Sequence, residues 1–115
     1  VLFGAASLRG TDPEALRLPL SYLYHSHLAP EPLRVRAIGP GAVPMDRLPL
    51  EAIDRKQASA EIPALIKAYL RLGGFVGDGA YVDRDFNTTD VCLVMDTARM
   101  SAKPRDFYTK RQGEA

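Results

Sequence analysis

Short apolar stretches separated by polar and proline-rich segments predict four strands and two helices in this chain. Residues 33–38 alternate apolar and basic side chains, which is typical of a strand with one face in water. Proline and glycine interrupt the segment 39–56, so we expect a long surface loop there. The predicted strands cover residues 1–8, 33–38, 75–82 and 90–97, and the predicted helices cover residues 12–29 and 62–70.

The two helices carry different signals at their ends. Asp12 is placed to cap the first helix and Pro13 suits its first position. Pro19 falls within the same apolar pattern, so it must kink this helix or divide it into a short turn and a longer helix. The second helix has Pro63 near its start and Gly73 just past its end, which makes it the most clearly bounded element of the chain.

The last two predicted strands form an antiparallel hairpin, and its second strand is the most apolar segment of the chain. Val91–Met95 is a continuous apolar run, which favours a strand inside a sheet with both faces covered. Polar side chains precede this run, and a turn would gather them at one end of the sheet as the rim of a pocket. These polar residues are Asp85, Asn87, Thr88, Thr89 and Asp90.

Composition and charge restrict the class of protein. The chain has 115 residues, 46% of them hydrophobic, which suits one compact domain over residues 1–100 followed by a basic tail over 101–115. A net charge of +1 excludes a strongly basic nucleic-acid binder. The apolar runs are far shorter than the roughly 20 residues that span a bilayer, and no signal segment opens the chain. We therefore expect a cytoplasmic protein.

Several motifs that would indicate particular chemistry are incomplete. Cys92 is the only cysteine, which excludes an internal disulfide and a multi-cysteine metal site. Ser7 lacks the Gly-x-Ser-x-Gly elbow of a hydrolase nucleophile. The glycines of the segment 73–79 lack the Lys-Ser/Thr pair of a phosphate-binding loop and follow a helix, so they indicate a helix end and a bulged strand.

Two histidines lie in the first predicted helix. Positions two apart on a helix point to nearly opposite sides, so His25 and His27 are not expected to share a metal ion. His27 falls on the leucine face and fits a core histidine. His25 is the freer candidate for a catalytic base, because an ordinary histidine titrates near neutral pH.

Lys67 and Arg71 lie four residues apart on the second predicted helix, opposite its apolar stripe. With the lysines and arginines of the tail they form a basic surface. This surface is either a solvated helix face or a docking site for an acidic carrier protein or an anionic membrane.

Five sequence blocks, in this order, resemble the ornithine N-acyltransferases of ornithine-lipid synthesis, also called hemolysin-like proteins. The blocks are Leu2-Phe-Gly-Ala-Ala-Ser-Leu-Arg-Gly-Thr-Asp-Pro13, Leu18-Pro-Leu-Ser-Tyr-Leu-Tyr-His-Ser-His-Leu-Ala-Pro30, Val43-Pro-Met-Asp46, Ile62-Pro-Ala-Leu-Ile-Lys-Ala-Tyr-Leu-Arg-Leu-Gly73 and Asp83-Arg-Asp-Phe-Asn-Thr-Thr-Asp90. This family is part of the GNAT acyltransferase superfamily. The resemblance implies transfer of a 3-hydroxyacyl group from acyl carrier protein to the α-amine of ornithine, which gives lyso-ornithine lipid.

The resemblance also implies a fold and a set of site residues. Members of the family are about twice as long as this chain, which resembles their C-terminal half and begins with Val1 inside a strand, so we expect an N-terminal half to be missing. The implied fold is the second half of a GNAT-like α/β (α+β) domain, a mixed sheet with a closing antiparallel hairpin and two to three packing helices. The implied first strand is the fifth of the GNAT fold, beside which the acyl thioester lies.

Roles follow for residues at matching positions. Gly4, Ala5, Ala6 and Ser7 are expected to contact the acyl donor, because small residues let the thioester arm of phosphopantetheine approach the strand. The expected ornithine-binding residues are Asp85, Asn87, Thr88 and Asp90. No bound cofactor or metal is expected.

Three alternatives remain open from the sequence. In the first, which we favour for the isolated chain, the chain is a non-catalytic module that binds substrate or carrier while the missing half supplies the chemistry. In the second, the reaction is another GNAT-type N-acyl transfer with a different amine or an acyl-CoA donor. In the third, the basic tail makes the chain a peripheral lipid-binding protein.

Overall fold

The computed structural model describes residues 1–96, which form one four-stranded sheet, three α-helices and two short 3₁₀ helices. The strands are β1 (Leu2–Arg9), β2 (Ala42–Val43), β3 (Phe75–Asp83) and β4 (Thr88–Met95). The α-helices are α1 (Arg17–His27), α2 (Arg55–Glu61) and α3 (Ala64–Arg71), and the 3₁₀ helices are Glu31–Leu33 and Leu50–Ala52. The α/β class is therefore confirmed. The predicted basic tail over 101–115 and the domain boundary near residue 100 lie outside the described residues.

The sheet has the strand order β1-β4-β3-β2, and each neighbouring pair is antiparallel. β4 lies between β1 and β3, so the apolar run over 91–95 is inside the sheet as predicted. The predicted hairpin of β3 and β4 is also confirmed. Its turn is stabilised by Asp83, whose Oδ1 accepts the backbone N–H groups of Asp85 and Phe86 at 3.1 and 3.2 Å.

The two faces of the sheet are packed differently. Alternate residues of β1 and β4, among them Ala6, Leu8, Val91 and Leu93, are buried on the face that carries the helices. Leu20 and Leu23 of α1, Ile66 of α3 and Ile62, which lies between α2 and α3, belong to the same core. Ser7 and Asp90 face the other way, because side chains alternate along a strand. No described helix of residues 1–96 covers this second face, and none is long and apolar enough to cross a membrane.

The first helix begins later than predicted. Asp12 accepts the backbone N–H of Glu14 at 3.0 Å, which forms a turn over residues 13–16 instead of the first turn of the helix. α1 starts at Arg17 and contains Pro19 as its third residue. A proline there costs little, because the first N–H groups of a helix have no partner within the helix. The predicted division into a short turn and a longer helix is thus confirmed.

The prediction of a strand over residues 33–38 is wrong, because β3 has a bulge at the place where this segment would pair with it. Two extra residues of β3 lie between the pairs of Val76 and Ala80 with β4. The bulge exposes the backbone of Asp78, whose N–H donates to Val35 and whose carbonyl accepts from Ala37, at 2.8 and 2.9 Å. The segment therefore makes a single parallel bridge, between Arg36 and Asp78, and no ladder.

The segment 39–56 is largely the predicted loop, but it leads into a helix that the sequence pattern did not reveal. Asp54 caps α2 by accepting the N–H groups of Lys56 and Gln57. α2 has seven residues, of which only Ala58 is buried, so it lacks the apolar stripe that would predict a helix.

The long loop is fixed to α1 by one buried hydroxyl. Ser21 is fully buried, and its Oγ donates to the carbonyl of Met45 at 3.2 Å. The same oxygen accepts the backbone N–H groups of Arg47 and Leu48 at 3.0 and 2.9 Å. Since buried backbone donors need partners, Ser21 fixes the path of the loop past α1.

We expect Ser21→Ala to lower the free energy of unfolding by about 1 to 3 kcal/mol, because two backbone donors lose their acceptor. Urea denaturation followed by circular dichroism measures this change. Ser26→Ala is the matched control, since Ser26 is an exposed serine of the same helix. Equal stability of the two variants would contradict the role of Ser21.

Candidate active site

The uncovered face of the sheet holds a groove of about 550 Å³. Its floor is β1, β4 and the bulge of β3, and its wall is the segment 35–38. The lining residues are Phe3, Gly4, Ala5, Val35, Arg36, Ala37, Ile38, Gly77, Asp78, Gly79, Tyr81, Asp90, Val91 and Cys92. This volume is within the usual range for a small-molecule site.

The bulge that shapes the groove depends on glycine. A Cβ added to Gly77 would lie 2.8 Å from Cγ2 of Val35, so only glycine lets the wall approach β3 this closely. Gly79 has a φ of 92°, which also favours glycine. The predicted bulged strand is confirmed, and it is the bulge that brings Val35 and Arg36 to the groove.

A carboxylate is held in place in the groove by two neutral hydroxyls. Strand pairing sets Ser7 of β1 opposite Asp90 of β4. Ser7 Oγ donates to Asp90 Oδ1 at 2.7 Å, and Thr88 Oγ1 donates to the same oxygen at 2.9 Å. The two hydrogen bonds fix the orientation of Asp90 and leave its negative charge without a compensating cation among the ion pairs of residues 1–96.

The groove also contains one ion pair. Arg36 Nε lies 3.5 Å from Asp78 Oδ2, and the Arg36 side chain is 75% exposed. Such an exposed pair contributes little to stability, so the guanidinium is available to another anion. The groove thus presents both signs of charge on a largely apolar surface.

A second cavity, of about 300 Å³, lies on the helix side of β1. Its lining is apolar or aromatic throughout and consists of Leu2, Phe3, Gly4, Ala5, Leu65, Tyr69, Leu93 and Met95. A Cβ added to Gly4 would meet no atom within 4 Å. Phe3, Gly4 and Ala5 line both this cavity and the groove, so the same part of β1 borders both spaces.

Comparison with known proteins identifies the family. The chain is 60% identical, over 96% of its length, to an L-ornithine N(alpha)-acyltransferase of Rhodobacter capsulatus. Proteins of the same name from Brucella abortus and Rhizobium meliloti are 43% and 42% identical over 94% and 93% of the chain. The chain belongs to the ornithine N-acyltransferase family.

The chain spans 36 to 42% of the length of these curated relatives, which agrees with the expectation that it resembles one part of a family member. No protein-family model and no solved structure matches it.

The polar residues predicted at the pocket rim are divided by the alternation of β4. Thr88 and Asp90 lie on the groove face. Thr89 points into the core, is fully buried, and donates to the carbonyl of Gly10 at 2.8 Å. Asp85 and Asn87 are exposed in the hairpin turn and do not line the groove. Of these residues only Asp90 lines the groove, and Thr88 contributes by holding Asp90 in place.

The residues predicted to contact the acyl donor are divided in the same way. Gly4 and Ala5 line both cavities, and Ser7 lies on the groove face beside Asp90. Ala6 is 4% exposed and its methyl group packs in the core, so only its backbone faces a bound molecule. Sequence reasoning missed Phe3, Arg36, Asp78 and Cys92; the glycines of the bulge were the signal for Asp78.

The predicted base, His25, is not at the groove. It is exposed on α1, in the helix layer behind the sheet, and one ring nitrogen lies 2.9 Å from the carbonyl oxygen of Leu48. His27 is half-buried, and desolvation by burial lowers its pKa below the ordinary value of 6.5. The ring of His27 packs edge-on against Tyr22, with 5.7 Å between the ring centres.

The predicted carrier-docking residues lie together on the helix layer. Lys67 and Arg71 line a depression of about 190 Å³ with Tyr22, His27 and Ser59 among its other residues. No group of three potential metal ligands is found within residues 1–96.

Proposed function

We propose that this chain forms part of a GNAT-type N-acyltransferase, which moves a 3-hydroxyacyl group from acyl carrier protein to the α-amine of ornithine. The names of its relatives support ornithine as the acceptor. The acyl carrier protein, the hydroxyacyl group and a place in lipid synthesis come from the sequence resemblance. The activity belongs to the full-length protein.

The observation that carries this proposal is a pair of chemically different cavities that share Phe3–Ala5 as lining residues. An acyl transfer to an amino acid must bring an apolar chain and a charged amine to one point. The cavity on the helix side is apolar, which suits the acyl chain, and the groove has the carboxylates and the guanidinium that suit a zwitterion. A site that holds both reactants beside these shared residues lowers the entropic part of the barrier.

The donor is proposed to lie along β1. Within the described sheet, β1 pairs with β4 on one side only, so the backbone groups of its other edge have no described strand partner. An extended phosphopantetheine arm offers amides that suit hydrogen bonding to a strand edge. The open space at Gly4 lets the arm pass close to the backbone.

The proposed chemistry is a direct attack without a covalent enzyme intermediate. The neutral amine nitrogen attacks the thioester carbonyl, the C–N bond forms and the C–S bond breaks, and the amine proton leaves with the thiol. The protein must position the amine, accept or relay that proton, and stabilise the oxyanion. Backbone N–H groups of β1 are our candidates for the oxyanion. His25, the base suggested by the sequence, lies behind the sheet and is not assigned to this step.

Asp90 is the proposed anchor of the amino acid within the groove, with Ser7 and Thr88 as positioning residues. Asp85 and Asn87 lie in the hairpin turn, so we propose them only for contacts with ornithine at the outer rim of the groove. Arg36 is a second anchor, because its guanidinium can bind the α-carboxylate of an amino acid.

In the full-length protein, we expect Asp90→Ala to lower kcat/KM for acylation of ornithine by roughly 10- to 100-fold, because a charge-assisted hydrogen bond to the substrate is lost. The measurement is acyl-ornithine formation from acylated carrier protein. Glu51→Gln is the control, since Glu51 is an exposed acid outside the groove. Unchanged turnover in a folded Asp90→Ala variant would reject the groove as the acceptor site.

Lys67 and Arg71 are proposed to receive the acidic carrier protein. Reversing both charges should raise KM for the acylated carrier about tenfold or more with little change in KM for ornithine, because like charges repel at the contact. Arg55→Glu is the control, since Arg55 is an exposed cation at the start of α2. An unchanged carrier KM would exclude docking there, and lost binding to anionic vesicles instead would assign the surface to lipid.

A further inference from the structure

We propose that Asp90 binds the δ-ammonium of ornithine and thereby leaves the α-amine as the nucleophile. This inference rests on the proposed function and adds the reason for acylation at the α position. It concerns the choice between two amines of one substrate, which are separated by three methylene groups.

The groove contains two carboxylates, and their partners distinguish them. Asp78 has the Arg36 guanidinium 3.5 Å away, which offsets part of its charge. Asp90 is held by Ser7 and Thr88, which carry no charge. Arg9 lies on the same face opposite Thr88, but it forms no ion pair with Asp90 in the described part of the chain. A cationic group of the substrate is therefore stabilised more at Asp90 than at Asp78.

The spacing along β1 and β4 fits the length of ornithine. The pair Ala5–Cys92 follows the pair Ser7–Asp90 on the same face, two residues along each strand. Two residues of a strand span roughly 7 Å. The two nitrogens of extended ornithine are about 6 Å apart, from five covalent bonds of about 1.5 Å at tetrahedral angles. With the δ-ammonium at Asp90, the α-amine lies beside Ala5, which lines both cavities.

Binding at a carboxylate also decides which amine reacts. A nearby negative charge favours the protonated form of an amine. A protonated amine has no lone pair, so the δ nitrogen held at Asp90 cannot attack the thioester. The α-amine, placed next to the donor and away from Asp90, loses its proton more readily and forms the amide.

The test compares ornithine with norvaline, which has the same carbon chain without the δ-amine. In the wild-type full-length protein, kcat/KM should favour ornithine by roughly 10- to 100-fold, the value of one charge-assisted hydrogen bond. In Asp90→Asn, the ratio of kcat/KM for ornithine to kcat/KM for norvaline should fall to about 1 to 3. Ser7→Ala should reduce it partly, mainly through KM for ornithine, since Ser7 orients Asp90 without touching the substrate.

The outcomes separate this inference from the proposed function. If wild-type protein acylates norvaline as well as ornithine, or if Asp90→Asn keeps the wild-type preference, the inference is overturned while acyl transfer stands. Collapse of the preference in Asp78→Asn alone would also overturn it. If wild-type protein acylates neither amino acid, the proposed function itself fails. Should Asp90→Asn not fold, Ser7→Ala and the wild-type comparison still decide.

Discussion

The pairing of β1 with β4 is the constraint on which the rest of this structure depends. Its register sets Ser7 opposite Asp90 and Ala5 opposite Cys92. Because side chains alternate with a period of two, a shift of β1 by one residue would move Ser7 into the core and bring Ala6 and Leu8 to the surface. The burial of Ala6 and Leu8 opposes such a shift, since both side chains would then face solvent. Packing on the helix face of the sheet therefore determines which side chains lie on the groove face.

The two faces of the sheet have different roles. Helices α1 and α3 pack on the face that carries Ala6, Leu8, Val91 and Leu93, α2 packs against α1, and this layer provides the stability. The opposite face provides a groove with Asp90, Asp78 and Arg36. β1 is the element common to both, because it has a described partner strand on one side only and lines a cavity on each face. This position explains why residues 3–5 are the proposed meeting point of acyl donor and amino acid.

Strong local patterns predicted the elements that depend mainly on their own sequence. The apolar run Val91–Met95 identified the central strand, and Gly73 identified the end of α3. The prediction of a strand over residues 33–38 was wrong although the residues alternate as in a strand. The bulge at Gly77–Gly79 limits the pairing of this segment with β3 to one bridge. α2 was missed because a capped helix with one buried residue leaves almost no periodic signal.

The candidate site was predictable only in part, for a related reason. Sequence proximity grouped Asp85, Asn87, Thr88, Thr89 and Asp90, but strand alternation and the hairpin turn leave only Thr88 and Asp90 on the groove face. The contribution of Arg36 and Asp78 depends on a tertiary contact between a loop and a bulge, which no local pattern encodes. His25 lies in a motif rich in polar groups, yet the fold carries it to the helix layer behind the sheet.

The most direct test of the central claim is to locate ornithine on the protein by following backbone amide resonances during its titration into isotopically labelled full-length protein. The account predicts that the largest changes occur at Ser7, Thr88, Asp90 and Cys92, on the groove face of β1 and β4. Changes confined to the helix layer around His25, His27 and Lys67, with β1 and β4 unaffected, would contradict it.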